Sequence, residues 1–341
     1  MSLIVQKVQK PTASNQLNTN NKLINNINLW TITDGSQGMI SQVNGLAQYL
    51  TPSFIEKKVK LKWPWSILQP GFLPINKKIF NISFFEGNLP NITISCGRKS
   101  VYASLYLKNI LKEKLITIHI QNPKINIKNF DFIISPNHDK LSGENVINSF
   151  GALHYLNYDK INNSKKLFDV PKDKKIVALI IGGDSNHYNF SNQALNIFLD
   201  KVENLNKDKD QYYFLFVASR RTSNNTIEII KKRFEKNHFV WDKITENPYI
   251  YSLKIADYII ITSDSISMIS EASSTGKPIY VYHLPFKRKT ERFEYFHKEF
   301  EKKGISKPLD KELYHWFYKP LKESERIAGI LSPRILKDNN E

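Results

Sequence analysis

Short continuous apolar runs recur along this chain, each closed by a polar or glycine-bearing turn and followed by apolar positions at helical spacing. Runs of that kind, rich in β-branched residues, mark strands buried on both faces of a parallel sheet. The first half predicts strands at Leu29–Thr33, Asn91–Ser95, Leu115–Ile120 and Phe130–Ser135. Helices are predicted through Val43, Leu46, Ala47 and Leu50, and through Leu105, Leu107, Ile110 and Leu111. The pattern then restarts, with strands at Lys175–Ile181, Tyr212–Ala218, Phe239–Trp241, Tyr258–Thr262 and Ile279–Tyr282. Its helices run through Ala194, Ile197, Phe198 and Val202, over Ile227–Phe234, and onward from Asn247-Pro248-Tyr249. The best-defined unit is Ala256–Tyr282, ADYIIITSDSISMISEASSTGKPIYVY. It reads as strand, Ser-Asp-Ser turn with three good helix caps, helix, left-handed glycine stop at Gly276, and strand.

Strands alternating with helices predict an α/β protein of two Rossmann-like domains facing a cleft, with C-terminal helices crossing back. The expected boundaries are a polar leader over 1–28, an N-terminal acceptor domain over 29–158, and a linker over 159–174. A nucleotide-binding domain over 175–290 and a helical tail over 291–341 follow. The leader, without an acidic residue, is expected to be disordered. A transit peptide is the alternative there, weakened by the absence of Arg.

The length of 341 residues accommodates two such domains, and 41% hydrophobic residues suffice for their cores. No apolar run approaches the roughly 18 residues of a membrane span, and no secretory core segment is present. A single cysteine, Cys96, excludes an internal disulfide and a cysteine zinc cluster, and points to a reducing compartment. The net charge of +17 favours anionic partners: phosphorylated substrates, anionic membrane or nucleic acid. No zinc finger, RNA-recognition signature or long Arg-rich run supports nucleic acid. AT-rich codon usage, which supplies Ile, Lys and Asn, is the bland source of part of that charge. Trp63 and Trp65, in a proline-broken stretch to Pro74 behind the basic Lys57–Lys62, suit a membrane interface or a loop packed on its own domain.

Candidate chemistry gathers at strand ends, because in a parallel sheet those ends share one edge. In the first half these turns bear Asp34, Arg98, His119 with Gln121, and His138 with Asp139. In the second half Gly182 and Gly183 leave room for a pyrophosphate, and Ser185 is placed to cap a helix or donate to phosphate. Ser219, Arg220 and Arg221 follow the next strand, where paired arginines would neutralise a diphosphate leaving group. Asn247, which precedes a helix, is a further nucleotide-binding candidate. Ser263, Asp264 and Ser265 form a third phosphate-scale turn, and Glu271 is placed to accept hydrogen bonds from a ribose. Asp34, His119, Asp184 and His187 are the candidates for a base that activates an acceptor. No P-loop, HExxH, compact metal cluster, nucleophile elbow or dinucleotide fingerprint occurs in the sequence.

Ten ordered segments match a known family: LWTITDG, ISCGRKS, HIQNPK, FDFIISPNHD, GALH, IGGDSNHY, ASRRT, ENPYIYSLKIADYIIITSDSISMISEASSTGKPIYVY, ERFEYFH and HWFYKPLKESERIA. On these the chain resembles the mitochondrial-fission "elongated mitochondria" family of plants and its bacterial relatives, from about Leu29 to Ile330. That family is similar to two-Rossmann-domain glycosyltransferases, whose C-terminal domain holds a nucleotide sugar and whose N-terminal domain holds the acceptor. The resemblance implies that Ser267, Glu271, Ala272, Gly276 and Pro278 form the ribose-binding helix pattern. It implies that Gly182, Gly183 and Ser185 form the phosphate turn. Three positions depart from the family: Gln37 and Met39 stand where its first turn has Ala and His, and Asp184 where its GGPS turn has Pro.

The expectation is a metal-independent glycosyltransferase-like enzyme with a nucleotide-diphosphate sugar as donor and no tightly bound cofactor. Its acceptor would be an envelope lipid or glycan, reached from the cytoplasm at the inner membrane face. One alternative is a non-catalytic membrane-surface adaptor, since the plant family is linked to recruiting a dynamin-related protein to the mitochondrial surface. The other is a nucleotide-sugar epimerase, which the missing dinucleotide fingerprint disfavours.

Overall fold

The computed structural model describes residues 27–68, 75–80, 82–207 and 210–338. Nearly all of the expected leader and the Gln69–Pro74 part of the tryptophan stretch lie outside them. The chain forms two compact units: one runs up to Tyr155 and takes in the segment from Lys322 onward, and the other is Leu156–Leu321.

In the first unit the elements are β1 (Leu29–Thr33), α1 (Gln37–Leu50), β2 (Ile55–Lys58), β3 (Ile92–Cys96), α2 (Arg98–Leu111), β4 (Ile116–Ile120), β5 (Phe132–Pro136) and β6 (Val146–Ser149). All strands are parallel, in the order β2-β1-β3-β4-β5-β6. β1, β3, β4 and β5 are buried on both faces, which is why their sequences read as unbroken apolar runs. β2 and β6 were not among the expected strands. Both are edge strands with polar alternation, and Ile55-Glu56-Lys57-Lys58 carries the charges that blunt a sheet edge.

One face of this sheet packs Ile94, Ile118 and Ile134 against Val43, Leu46 and Leu50 of α1. The same cluster holds Ile327, Leu331 and Ile335 of the last helix, numbered α9 here (Glu323–Asp338). Ser324 Oγ donates to the His154 carbonyl at 2.8 Å, and the Phe150 N–H donates to Glu323 Oε2 at 2.8 Å, fixing that helix on the unit. The other face buries Trp30 and Ile32 with Phe80, Phe84, Tyr102 and Leu107. Trp30 meets Phe84 edge-on at 6.0 Å, a favoured aromatic geometry.

The second unit contains α3 (Tyr158–Asn162), β7 (Lys175–Ile181), α4 (Asn192–Asn204), β8 (Tyr212–Ala218), α5 (Asn224–Phe234), β9 (Phe239–Val240), α6 (Tyr249–Ile255), β10 (Tyr258–Thr262), α7 (Ile266–Ala272), β11 (Ile279–Tyr282), α8 (Glu291–Lys302) and β12 (Ser306–Pro308). Its sheet is again all parallel, in the order β12-β11-β10-β7-β8-β9. Leu179, Ile181, Phe198, Phe214, Phe216 and Phe234 lie at the centre of its core. Residues of the expected linker pack on this unit: Phe168 stacks on Phe239 at 4.0 Å, and its carbonyl accepts the Tyr251 hydroxyl at 3.1 Å. The expected tail is divided, with α8, β12 and Trp316 in this unit and α9 in the other.

Gly45 shows how closely the first unit is packed. It lies inside α1, where Ala normally stabilises by about 1 kcal/mol. A Cβ at Gly45 would lie 2.3 Å from the His154 carbonyl oxygen, a backbone atom that cannot swing aside. Gly45→Ala is therefore expected to destabilise, by about 1–3 kcal/mol of overpacking strain. An unchanged or raised urea midpoint would contradict this contact.

Candidate functional site

β10, β7 and β8 are neighbours in the second sheet, so the turns after Thr262, Ile181 and Ala218 lie side by side. The Asp264 carboxylate joins them. Its side chain is fully enclosed and pairs with Arg221 Nη2 at 2.5 Å. It also accepts the Thr262 hydroxyl at 2.6 Å and the Gly183 N–H at 3.1 Å. The Gly182 N–H donates in turn to Thr262 Oγ1 at 2.8 Å. Thr222 ties the third turn in: its hydroxyl lies 2.6 Å from the Gly182 carbonyl and accepts the Ser219 N–H at 2.8 Å. Burial pushes the Asp264 carboxyl above its ordinary value, while Arg221, Thr262 and the Gly183 N–H pull it back down.

The two glycines are explained by this packing. A Cβ on Gly182 would lie 2.1 Å from Asp264 Oδ1, and one on Gly183 would lie 2.2 Å from the Arg221 carbonyl oxygen. On the side where a Cβ would stand, both positions are filled by the chain's own groups. Ser185 does not cap a helix either. Its hydroxyl accepts the N–H groups of His187 and Tyr188 at 3.2 and 3.0 Å, and α4 starts later, capped by Ser191. Ser263 is buried and accepts the Leu284 N–H at 3.0 Å, so neither it nor the Asp264 side chain offers a surface to a ligand. Ser265 caps α7 through the Met268 N–H at 3.4 Å.

Beside these turns opens a pocket of about 350 Å³ lined by Ile180, Val217, Ser219, Arg220, Trp241 and Tyr249, with Ala218, Lys243, Asn247 and Met268. Its volume lies in the range of small-molecule sites, roughly 300–1,000 Å³. Two of its polar groups are held in place. Lys243 Nζ donates to the Thr222 carbonyl at 2.7 Å, and Asn247 Oδ1 accepts the Tyr249 N–H at 2.9 Å. The Tyr249 hydroxyl donates to Glu271 Oε2 at 2.8 Å, so the half-buried Glu271 carboxylate lies beside the Tyr249 side of the pocket. Tyr249, Trp241, Lys243 and Met268 were not singled out in the sequence. Asn247-Pro248-Tyr249 is the one local signal that pointed at this wall.

The four candidate bases fall into different environments. His119 is enclosed in the first unit, hydrogen-bonded through Nδ1 to Ser95 Oγ at 2.9 Å. It is a core hydrogen-bonder, out of reach of an acceptor. Asp184 is exposed and ion-paired with Lys287; that contact and the Phe190 N–H hold its carboxyl below the usual range, which makes it a weak base. Asp34 is half-buried and accepts the Ser36 N–H at 3.0 Å, ordering the first turn. His187 is half-buried with its ring 5.3 Å from Phe293. Of the two tryptophans, Trp63 is 77% exposed, whereas Trp65 packs against the Trp30 cluster. Among the described residues no three His, Cys, Asp or Glu side chains gather into a metal-binding group.

The family model of mitochondrial fission ELM1 matches residues 37–335. The chain belongs to the mitochondrial fission ELM1 family. It is 28% identical to the uncharacterized protein RP120 of Rickettsia prowazekii (strain Madrid E), over 89% of this chain and 98% of that relative. It is 23% identical to the mitochondrial fission protein ELM1 of Arabidopsis thaliana, over 72% of this chain and 64% of that longer protein. This ELM1-family chain shares its fold with UDP-GlcNAc 2-epimerase from Methanocaldococcus jannaschii, with a TM-score of 0.53 at 14% identity over 89% of this chain and 99% of the other. The Neisseria meningitidis enzyme of that name, solved with UDP-GlcNAc, gives 0.52 at 11% identity over 91% and 100%. The likeness at such identity is one of fold: two Rossmann-like units of the glycosyltransferase B type.

Burial also sets a pH response. It holds His119 at about 3 against an ordinary 6.5, and His297, likewise enclosed, at about 3. Between those values the unfolded chain binds protons that the folded chain does not, so stability is complete above pH 6.5 and lost as pH falls. From pH 7 to 5 the loss is expected to be on the order of 2 kcal/mol per histidine. Urea titrations of the wild type and of His119→Asn check it. The variant should show the shallower pH dependence, and equal slopes would contradict the assignment of His119 as a neutral core group.

Proposed function

We propose that this ELM1-family chain is a glycosyltransferase-like protein that takes a nucleoside-diphosphate sugar in its second unit and passes the sugar to an envelope lipid or glycan. The observation that carries the reading is the pocket beside β8. It is large enough for a nucleoside, has Trp241 and Tyr249 in its wall, and carries the exposed cation Arg220 at its lining. Glu271 is the ribose anchor in this reading. A carboxylate accepts from sugar hydroxyls, and the Tyr249 hydroxyl holds this one in place. Arg220 counters the charge that develops on a departing diphosphate. Asp34 and His187 remain the candidates for the base, since His119 is enclosed and Asp184 is held as a carboxylate by Lys287. The named ligand of the Neisseria structure, UDP-GlcNAc, makes UDP-sugars the first donors to try.

A second reading, a membrane-surface adaptor, is favoured by one feature of the first unit. Trp63 and Ile67, 77% and 71% exposed, share a loop with exposed Leu68, and Ile75, Lys60, Lys62, Lys77 and Lys78 are exposed as well. Aromatic and aliphatic groups beside lysines suit an anionic membrane surface. The two readings are compatible, because an enzyme acting on a lipid acceptor also needs a membrane-facing surface. Among the described residues no helix is long and apolar enough to cross a membrane. An epimerase acting on the same ligand class is the outcome a product assay separates from transfer.

Calorimetry across nucleoside-diphosphate sugars should find at least one binder. Glu271→Ala should weaken it by about tenfold or more, the loss expected for hydrogen bonds to a charged group. No binding by the folded wild type at millimolar ligand would sink the donor reading. In flotation with anionic vesicles, Trp63→Ser combined with Ile67→Ser should lower the bound fraction to that seen with neutral vesicles. Unchanged flotation would remove the membrane surface from this loop.

A further inference from the structure

We propose that Asp264 is a built-in competitor for the ligand's diphosphate, its carboxylate occupying the donors that a diphosphate at this strand edge would use. The inference rests on the reading of the second unit as a nucleotide site, and it concerns how that site treats the phosphates.

Three donors converge on the carboxylate: the Arg221 guanidinium at 2.5 Å, the Thr262 hydroxyl at 2.6 Å and the Gly183 N–H at 3.1 Å. A guanidinium, a hydroxyl and a glycine N–H at the end of a parallel strand are the set that would bind a phosphate. Here the anion is supplied from within, two residues after Thr262, and its side chain is closed to solvent. The neighbouring donor is spent as well, since the Gly182 N–H goes to Thr262 Oγ1. Gly182 and Gly183 lack side chains because the carboxylate and the Arg221 backbone lie against them. Arg221 is the movable part. Its side chain keeps 37% of its surface exposed, so it can turn from Asp264 to a ligand without leaving water. A ligand diphosphate therefore meets Arg220 directly, and gains Arg221 only against the pull of Asp264. A diphosphate brought close to the Asp264 carboxylate is also repelled by it.

The consequence is a site that recognises the nucleoside more than its phosphates. Uridine and UDP are the probes, titrated into the full chain and into Asp264→Asn, which keeps the shape and removes the charge. Wild type is expected to bind UDP no more than about threefold tighter than uridine. Asp264→Asn should tighten UDP by about tenfold or more, the worth of one charge-assisted hydrogen bond, and leave uridine unchanged. Adding Arg221→Gln to Asp264→Asn should cancel that gain. A folded Asp264→Asn protein that binds UDP no tighter than wild type overturns the proposal and leaves the carboxylate a structural ion pair only. If Asp264→Asn does not fold, the wild-type ratio decides: UDP more than about threefold tighter than uridine overturns the proposal, and a smaller ratio supports it. If wild type binds neither probe, the nucleotide reading fails for the native chain. UDP binding that appears in Asp264→Asn then still supports the competitor, and its absence overturns that too.

Discussion

A carboxylate taken out of water must be met by charge and hydrogen bonds, and in the second unit that requirement organises the ends of three strands. Asp264 draws Arg221 from the turn after β8, Gly183 from the turn after β7 and Thr262 from the end of β10. These contacts tie groups from three neighbouring strand ends to one side chain, one of them through the Gly183 backbone. Removing one member of a fully buried pair costs about 3–5 kcal/mol in general. Arg221 remains partly exposed, which places this pair below that range and leaves the guanidinium free to exchange partners.

The same requirement moves the candidate site. With the glycine turn closed by Asp264, the open volume lies on the β8 side, between Ser219–Arg220 and the Asn247–Tyr249 segment. Glu271, on α7, reaches that volume through the Tyr249 hydroxyl. The arrangement separates two tasks that a phosphate-binding turn would combine: ordering the strand ends, which Asp264 and Thr222 do, and offering charge to a ligand, which falls to Arg220.

Most of the fold was legible in the sequence because both sheets are parallel and covered, so their central strands are unbroken apolar runs. Tyr258–Thr262, Tyr212–Ala218 and Lys175–Ile181 have the expected limits. The edge strands β2 and β6 were not legible, since an edge strand facing water needs no apolar run and Glu56, Lys57 and Asn148 sit in them. At the site, sequence placed the three turns on one sheet edge, and they lie there together. It did not distinguish a glycine that leaves room for a ligand from one that leaves room for Asp264, because both demand the same missing side chain. Nor did it distinguish a histidine at a strand end that faces solvent from His119, whose ring turns inward to Ser95. Those distinctions depend on neighbours distant in sequence, such as the 81-residue separation between Gly183 and Asp264.

A crystal structure of the chain soaked with UDP would show directly where the nucleoside lies. Density is expected in the pocket bounded by Ser219, Arg220, Asn247 and Tyr249, with the ribose at Glu271 and the Asp264 carboxylate still against Gly183. Density for the diphosphate seated on Gly182 and Gly183, or a ligand bound away from this pocket, would contradict it.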